Sequence, residues 1–358
     1  MVSTISTNIT NSSVPVRALS HCYHDDSTFK YLAYTCTYIL VFPVAFLCNT
    51  GALVVFFQIR KRISAPHVVM VNLALSDWAF SLTLPLRLVY YVRDGIWDFP
   101  DWLCRVCVFG FYVNLYSSIL LFTLLSVLRW KAVTAPLDHN PKTITRRTAA
   151  ACLIIWLFVG ATSVPFLFQG VLERQGVRRC FEPGSVESWS KIYIMNYLGV
   201  GVGFLVPFLI IIFCYSKVIQ NLRNTKQVSG DILRNKVRRH NRRHSVYLVT
   251  MVIVTFLLCF LPYHLIRTLH LHAVIGRWSC EVTRLLQRAV SVTLCLAASN
   301  SMINPLLYYY ATRTFRKDLS QVQTSFRTYI PESFRRGSVT SNRQDSLRHK
   351  YSQAHLKN

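Results

Sequence analysis

The chain has 358 residues and a formal net charge of +25 (40 Lys+Arg against 15 Asp+Glu), yet only 15% of it is charged and 52% is hydrophobic. Such hydrophobicity excludes a disordered chain, and the charged share is well below the ~25% of soluble domains. A nucleic-acid binder would spread its cations over a soluble surface, whereas here they lie between long apolar blocks, the pattern of a membrane protein.

Residues 1–30 are polar and hold two glycosylation triplets, Asn8-Ile9-Thr10 and Asn11-Ser12-Ser13. No cleaved signal peptide is expected there, so the first span serves as its own insertion signal. A helix needs about 20 mostly apolar residues to cross the hydrocarbon core. Seven stretches qualify: 31–57, 67–92, 103–128, 149–169, 192–219, 245–271 and 285–310. None alternates apolar and polar residues as a membrane barrel strand must. Residues 31–310 are therefore expected to form an all-α membrane protein, a seven-transmembrane-helix bundle.

Polar and special residues punctuate the spans in order. The first holds Asn49; the second holds Asp77 and, about 15 Å further along the helix, Arg87. The third carries Tyr112, Asn114, Tyr116 and Ser118 and ends at Arg129, and the fourth carries Trp156. Pro207 and Tyr215 lie in the fifth. In the sixth, Arg267 sits one turn above Tyr263, and His270 continues that face. Arg284 and Arg288 open the seventh, which continues through Leu294, Asn300, Asn304, Pro305 and Tyr308. Prolines inside spans are tolerated where neighbours re-satisfy the freed carbonyls. After the bundle, 311–322 read as a short amphipathic eighth helix, with Phe315 and Leu319 on one face and Arg313, Arg316 and Lys317 toward headgroups. Residues 323–358 are polar and expected to be disordered. Ser338 and Ser346 follow basic residues there and are candidate phosphorylation sites.

Arg60–Arg62, the cluster from Arg129 to Arg147, the loop 223–243 and the tail after 310 hold 26 of the 40 cations. That excess marks the cytoplasmic side, which places the N-terminus outside a plasma membrane and the C-terminus inside. The basic loop can also contact membrane lipid. Of 11 cysteines, seven fall within spans, while Cys22, Cys104, Cys180 and Cys280 all fall on the outer side. Four in an oxidising compartment read as two disulfides.

Ionisable residues within spans cost roughly 3 kcal/mol or more, so each is a functional candidate. Arg87, Arg267, His270, Arg284 and Arg288 converging on a cavity walled by Tyr112, Tyr116 and Tyr263 suit an amphipathic anion. The bland alternative is that each Arg snorkels to headgroups and each Tyr merely packs. Asp77, with Asn114, Ser118, Asn300 and Asn304 to supply oxygens, suits either a cation or a protonated carboxyl in a polar network.

Asn49, Leu73-Ala74-Leu75-Ser76-Asp77, Trp156, Pro207, Cys259-Phe260-Leu261-Pro262-Tyr263 and Asn304-Pro305-Leu306-Leu307-Tyr308 occur helix by helix in one order. In that set the chain resembles the rhodopsin-like (class A) G-protein-coupled receptors. Leu84 to Val92, Gly95-Ile96-Trp97, Tyr112 to Tyr116, Cys180-Phe181-Glu182-Pro183, Pro262 to His272 and Leu296 to Asn300 look like the cysteinyl leukotriene receptors, nearer type 1 in the outer segments. The resemblance implies a receptor for cysteinyl leukotrienes that signals mainly through the Gq family of heterotrimeric G proteins, with Gi as a second partner. Arrestin and receptor kinases would act on the tail. Arg87, Tyr112, Tyr263 and Arg267 match that family's pocket, with Leu294 beside them.

The resemblance also implies a Cys104–Cys180 disulfide, which leaves Cys22 with Cys280, and an allosteric sodium ion at Asp77. Type 1 members usually have Asp where this chain has Asn304. Arg129, Pro207, Tyr215, Phe260, Pro262, Asn304, Pro305 and Tyr308 match positions used in switching and G-protein coupling. Leu128-Arg129-Trp130 stands where the family has Asp-Arg-Tyr, so the acid that would restrain Arg129 is missing.

No enzymatic constellation is visible: only one Asp lies deep in a span, which excludes a paired-aspartate protease. Neither do the two halves show transporter repeat symmetry. The remaining rival is a receptor for another anion such as a nucleotide.

Overall fold

A computed structural model describes residues 27–58, 63–134, 140–168, 170–174, 176–181, 186–224, 246–247, 249–311 and 315. Asn8, Asn11, Cys22, Ser338, Ser346, the tail 323–358 and most of the basic loop lie outside them. So does the expected eighth helix, apart from Ala311 and Phe315.

Seven helices are long and apolar enough to span a membrane: α1 Ser27–Gln58, α2 Ala65–Val92, α3 Asp101–Thr134, α4 Pro141–Phe168, α5 Trp189–Asn221, α6 Val249–Ile275 and α7 Cys280–Tyr310. They correspond one to one with the seven apolar stretches. The α3 helix runs past residue 128 and α4 starts before 149, because Lys131, Lys142, Arg146 and Arg147 end the hydropathy without ending the helix. Lys and Arg are good helix formers. One short hairpin joins α4 to α5: β1 (Leu172–Arg174) pairs antiparallel with β2 (Val177–Arg179). Gly176, at φ +75°, makes its turn.

The burial pattern is inverted relative to a soluble bundle. Leu40, Leu47, Ile154 and Leu209 are exposed, while Asn49, Asp77, Asn300 and Asn304 are fully buried. Such a surface belongs in lipid. The centre is α3, which packs on α2, α4 and α5, while α1 packs on α2 and α7 and α6 on α7. Trp156 on α4 donates to Asn72 on α2 at 2.8 Å.

Three prolines shape the interior. Pro85 cannot donate a backbone hydrogen bond, and α2 breaks between Ser81 and Leu84. There the Thr83 amide takes a three-residue turn to Phe80 O at 2.9 Å, and the Ser81 hydroxyl bonds Trp78 O. Before Pro207 and Pro262 the helices widen into π turns over Gly199–Leu205 and Phe256–Phe260, where Val206 bonds back to Gly201 and Leu261 to Phe256. Widened turns of this kind recur at functional sites.

Candidate functional site

At the hairpin end of the bundle, an open cavity of about 1100 Å³, counted out to its solvent-filled mouth, lies between α1, α2, α3, α5, α6 and α7. It brings together Arg87, Tyr112, Tyr263, Arg267, His270 and Leu294 of the expected set. A second cavity of about 630 Å³, between α3, α4 and α5, holds Tyr116. Tyr112, Ile192, Tyr263 and Arg267 line both, so the two share a wall. The first carries three cations, Lys30, Arg87 and Arg267, and no described acid lines either. The second is mostly apolar, with Leu120, Phe158, Phe166, Leu198 and Val202. A cationic chamber beside an apolar one fits a molecule with an anionic head and a hydrocarbon tail.

Arg87 is the best defined of these groups. It follows the break at Pro85, and only 6% of it is exposed. Its Nη2 donates to Cys107 O at 2.6 Å. The guanidinium lies over the Phe181 and Phe111 rings, 4.5 Å and 5.4 Å from their centroids. Its Nε has no hydrogen-bond partner among the described residues, and no carboxylate neutralises it there. A buried guanidinium with a spare donor is suited to receive an anion, since leaving that donor unpaired is costly.

Tyr112 stacks on Phe166 at 3.8 Å between centroids, which stiffens the shared wall. His270 is 2% exposed beside Trp189. Arg284 and Arg288 line neither cavity; the Arg288 guanidinium sits over Phe29 at 5.7 Å. Sequence reasoning missed Lys30, Tyr34, Tyr38, Tyr91 and Phe181, all on the wall of the first cavity. The near-helical spacing of Tyr31, Tyr34 and Tyr38 was the signal available, since it sets three aromatic rings on one face of α1.

The hairpin caps this end. Cys104 on α3 is bridged to Cys180, and Arg179 donates to Tyr31 Oη at 2.8 Å and to Asp94 O at 3.1 Å. Trp97 is fully buried against Tyr90, Phe99 and Phe181, and its amide donates to Arg178 O. Asp101 accepts from the Val171 amide and from Arg105 Nε, and Arg105 reaches Leu167 O at 2.8 Å. Cys280 is also disulfide-bonded, while Cys22 lies outside the described residues. The seven cysteines within spans are free thiols.

Deeper in the bundle, Asp77 is the one buried acid among the described residues. Its Oδ1 accepts from Asn114 Nδ2 at 2.9 Å and its Oδ2 from Asn304 Nδ2 at 2.7 Å. Ser301 Oγ donates to Asn114 Oδ1 at 3.3 Å, and Asn49 Nδ2 to Ser301 O at 3.0 Å. Ser118 Oγ, Asn300 Oδ1 and Asn304 Oδ1 are buried without a hydrogen-bond partner among the described residues. These spare oxygens and one carboxylate suit a small hard cation better than a transition metal.

Toward the opposite end, the Arg129 Nε is buried and unpartnered among the described residues, and Leu128 offers it no acid. Trp130 packs edge-on against Phe213 of α5 at 5.4 Å. Phe260 sits on the π turn between Phe122 and Phe256. Tyr308 is fully buried against Phe56 and near Phe315, on the α1 side of α7, and Tyr215 is half-buried.

Residues 48–308 match the model of the 7 transmembrane receptor (rhodopsin) family. The chain is 34% identical to cysteinyl leukotriene receptor 1 of Cavia porcellus, over 90% of this chain and 94% of that one. It is 35% identical to the same receptor of Homo sapiens, over 87% and 91%. Against cysteinyl leukotriene receptor 2 of Mus musculus the identity is 38%, over 82% and 92%.

Proposed function

The chain belongs to the rhodopsin family of seven-transmembrane receptors, and from that premise we propose that it is a plasma-membrane receptor for cysteinyl leukotrienes. The observation that carries this reading is the cationic cavity around Arg87 and Arg267 sharing a wall with the apolar cavity of α4 and α5. Arg87 and Arg267 grip carboxylates of the ligand head, Tyr112 and Tyr263 divide the two chambers, and the tail lies along Tyr116 and Phe158. A nucleotide, with polar groups along its whole length, would leave the apolar chamber unfilled.

The cavity end faces outward and the Arg129 end faces the cytoplasm, where the cation excess lies. Binding there signals through a heterotrimeric G protein, mainly of the Gq family, to phospholipase C and calcium. Arg129 enters the G-protein groove, while the widened turns before Pro207 and Pro262 let α5 and α6 move. Receptor kinases and arrestin act on Ser338 and Ser346. Asp77, with Asn114, Ser118, Asn300 and Asn304, would hold a sodium ion, whose charge would balance the buried carboxylate and favour the resting packing.

The test is intracellular calcium in cells expressing the chain, titrated with a cysteinyl leukotriene, beside Arg87→Ala and Arg267→Ala. A saturable response, lost in both variants at normal surface expression, is expected. Silence to leukotrienes with a response to a nucleotide would discard the ligand assignment and leave the receptor family standing.

A further inference from the structure

Tyr116 on α3 lies with one ring edge and its hydroxyl against a groove in α5 that exists because two side chains are missing. A Cβ built on Gly203 would fall 2.6 and 2.7 Å from carbons of the Tyr116 ring. One built on Gly199 would overlap the Tyr116 hydroxyl and lie 3.0 Å from its Cζ. Gly201, between them on the same π turn, would meet nothing within 4 Å. Tyr116, Gly199 and Gly203 all line the apolar cavity. Glycine is a poor helix former, so what these two positions contribute is space: the ring reclines into α5 and leaves the cavity open. With a methyl group at either position the ring must turn, and its open side is that cavity. Rotating one side chain costs less than separating α3 from α5, which pack closely along their length.

We propose that Gly199 and Gly203 determine how long a hydrocarbon tail the receptor accepts, by holding the Tyr116 ring out of the apolar cavity. The inference rests on the proposed leukotriene-binding function. It makes Tyr116 a movable wall whose position is set from α5, and it separates tail selection from head recognition at Arg87 and Arg267.

Competition binding on membranes from cells expressing the full chain tests it. The probes are cysteinyl leukotriene analogues with one peptide head and progressively shortened tails. Gly203→Ala should weaken the full-length analogue about tenfold, the worth of one or two buried methylenes, and leave the shortest within about threefold. Gly201→Ala, which adds the same methyl group to the same turn, should match the parent chain. Tyr116→Phe should restore Gly199→Ala, whose overlap is with the hydroxyl, but not Gly203→Ala, whose overlap is with the ring.

Equal weakening of every analogue by Gly203→Ala, or a profile like that of Gly201→Ala, overturns the proposal. Should Gly203→Ala fail to reach the surface, the Gly199→Ala and Tyr116→Phe pair decides: tail-selective loss with rescue supports it, and loss without rescue overturns it. If the parent chain binds none of the analogues, the ligand reading itself has failed, an outcome distinct from the others.

Discussion

The Arg87 guanidinium lies 4.5 Å from the centroid of Phe181, the residue that follows the Cys104–Cys180 bridge. Phe181 has φ +65°, a left-handed conformation that a bulky residue adopts only when its surroundings enforce it. Here the surroundings are the disulfide on one side and the rings of Tyr90, Tyr91 and Trp97 on the other. Together they fix the hairpin to the cation that faces the cavity. Phe181→Ala should weaken leukotriene binding about 5- to 30-fold, reflecting ~1–2 kcal/mol from a largely desolvated cation–π contact. Phe181→Tyr should stay near the parent value. Radioligand affinity would measure both, and an unchanged Phe181→Ala variant would remove Phe181 from the site.

Asp101 ties the top of α3 to the α4–β1 corner through Val171, and Arg105 does so through Leu167. Phe166 and Gly170, the cavity-wall residues of this corner, flank those contacts. Asp101→Ala should lower the unfolding free energy by about 1–2 kcal/mol and ligand affinity several-fold without touching the ligand. Asp101→Asn, which keeps an acceptor for Val171, should lose less. Thermal denaturation of detergent-solubilised receptor ranks the three chains, and equal melting temperatures would contradict the clamp.

At Asp77, a bound sodium ion as proposed would make the packing of α2, α3 and α7 sensitive to the cation present. Sodium should raise the melting temperature of the parent receptor relative to potassium or choline at equal ionic strength. Asp77→Asn, which keeps the size and removes the charge, should abolish that difference. A sodium effect that survives Asp77→Asn would place the ion elsewhere.

Leu128 occupies the position from which an acid could restrain Arg129, whose Nε is buried and unpartnered among the described residues. A carboxylate there gains a charge-assisted hydrogen bond worth about 1.5–3 kcal/mol in the resting packing. Leu128→Asp should therefore lower ligand-free inositol phosphate accumulation several-fold at matched surface expression. The agonist response should remain, with a higher concentration needed. Unaltered basal accumulation would mean that Arg129 is not the restrained element.

The helices and two of the cations that line the cavity were legible in the chain itself, for different reasons. Crossing hydrocarbon demands unbroken apolar length, so each span announces itself within its own stretch of chain. Arg87 and Arg267 stand out because a cation within an apolar run carries a large solvation cost, which makes each a functional candidate. The ends of α3 and α4 were less visible, because hydropathy stops at Lys131 and before Arg147 while backbone hydrogen bonding continues. The β1–β2 hairpin left almost no trace, since two strands of three residues are too short to display a period.

What the amino-acid sequence determined alone is what depends on local composition: the membrane, the seven spans, the cations within them and the prolines that interrupt them. Only the tertiary structure decided which of these meet. Tyr38 and Tyr91 joined the wall beside Arg87 while Arg284 and Arg288 did not, because rotation of each helix about its axis is set by packing against its neighbours. The same holds for Tyr116, Gly199 and Gly203, which lie 83 and 87 residues apart in the chain (199 − 116 and 203 − 116) yet touch in the fold. Contact between distant segments is a property of the assembled bundle, and no single stretch of chain encodes it.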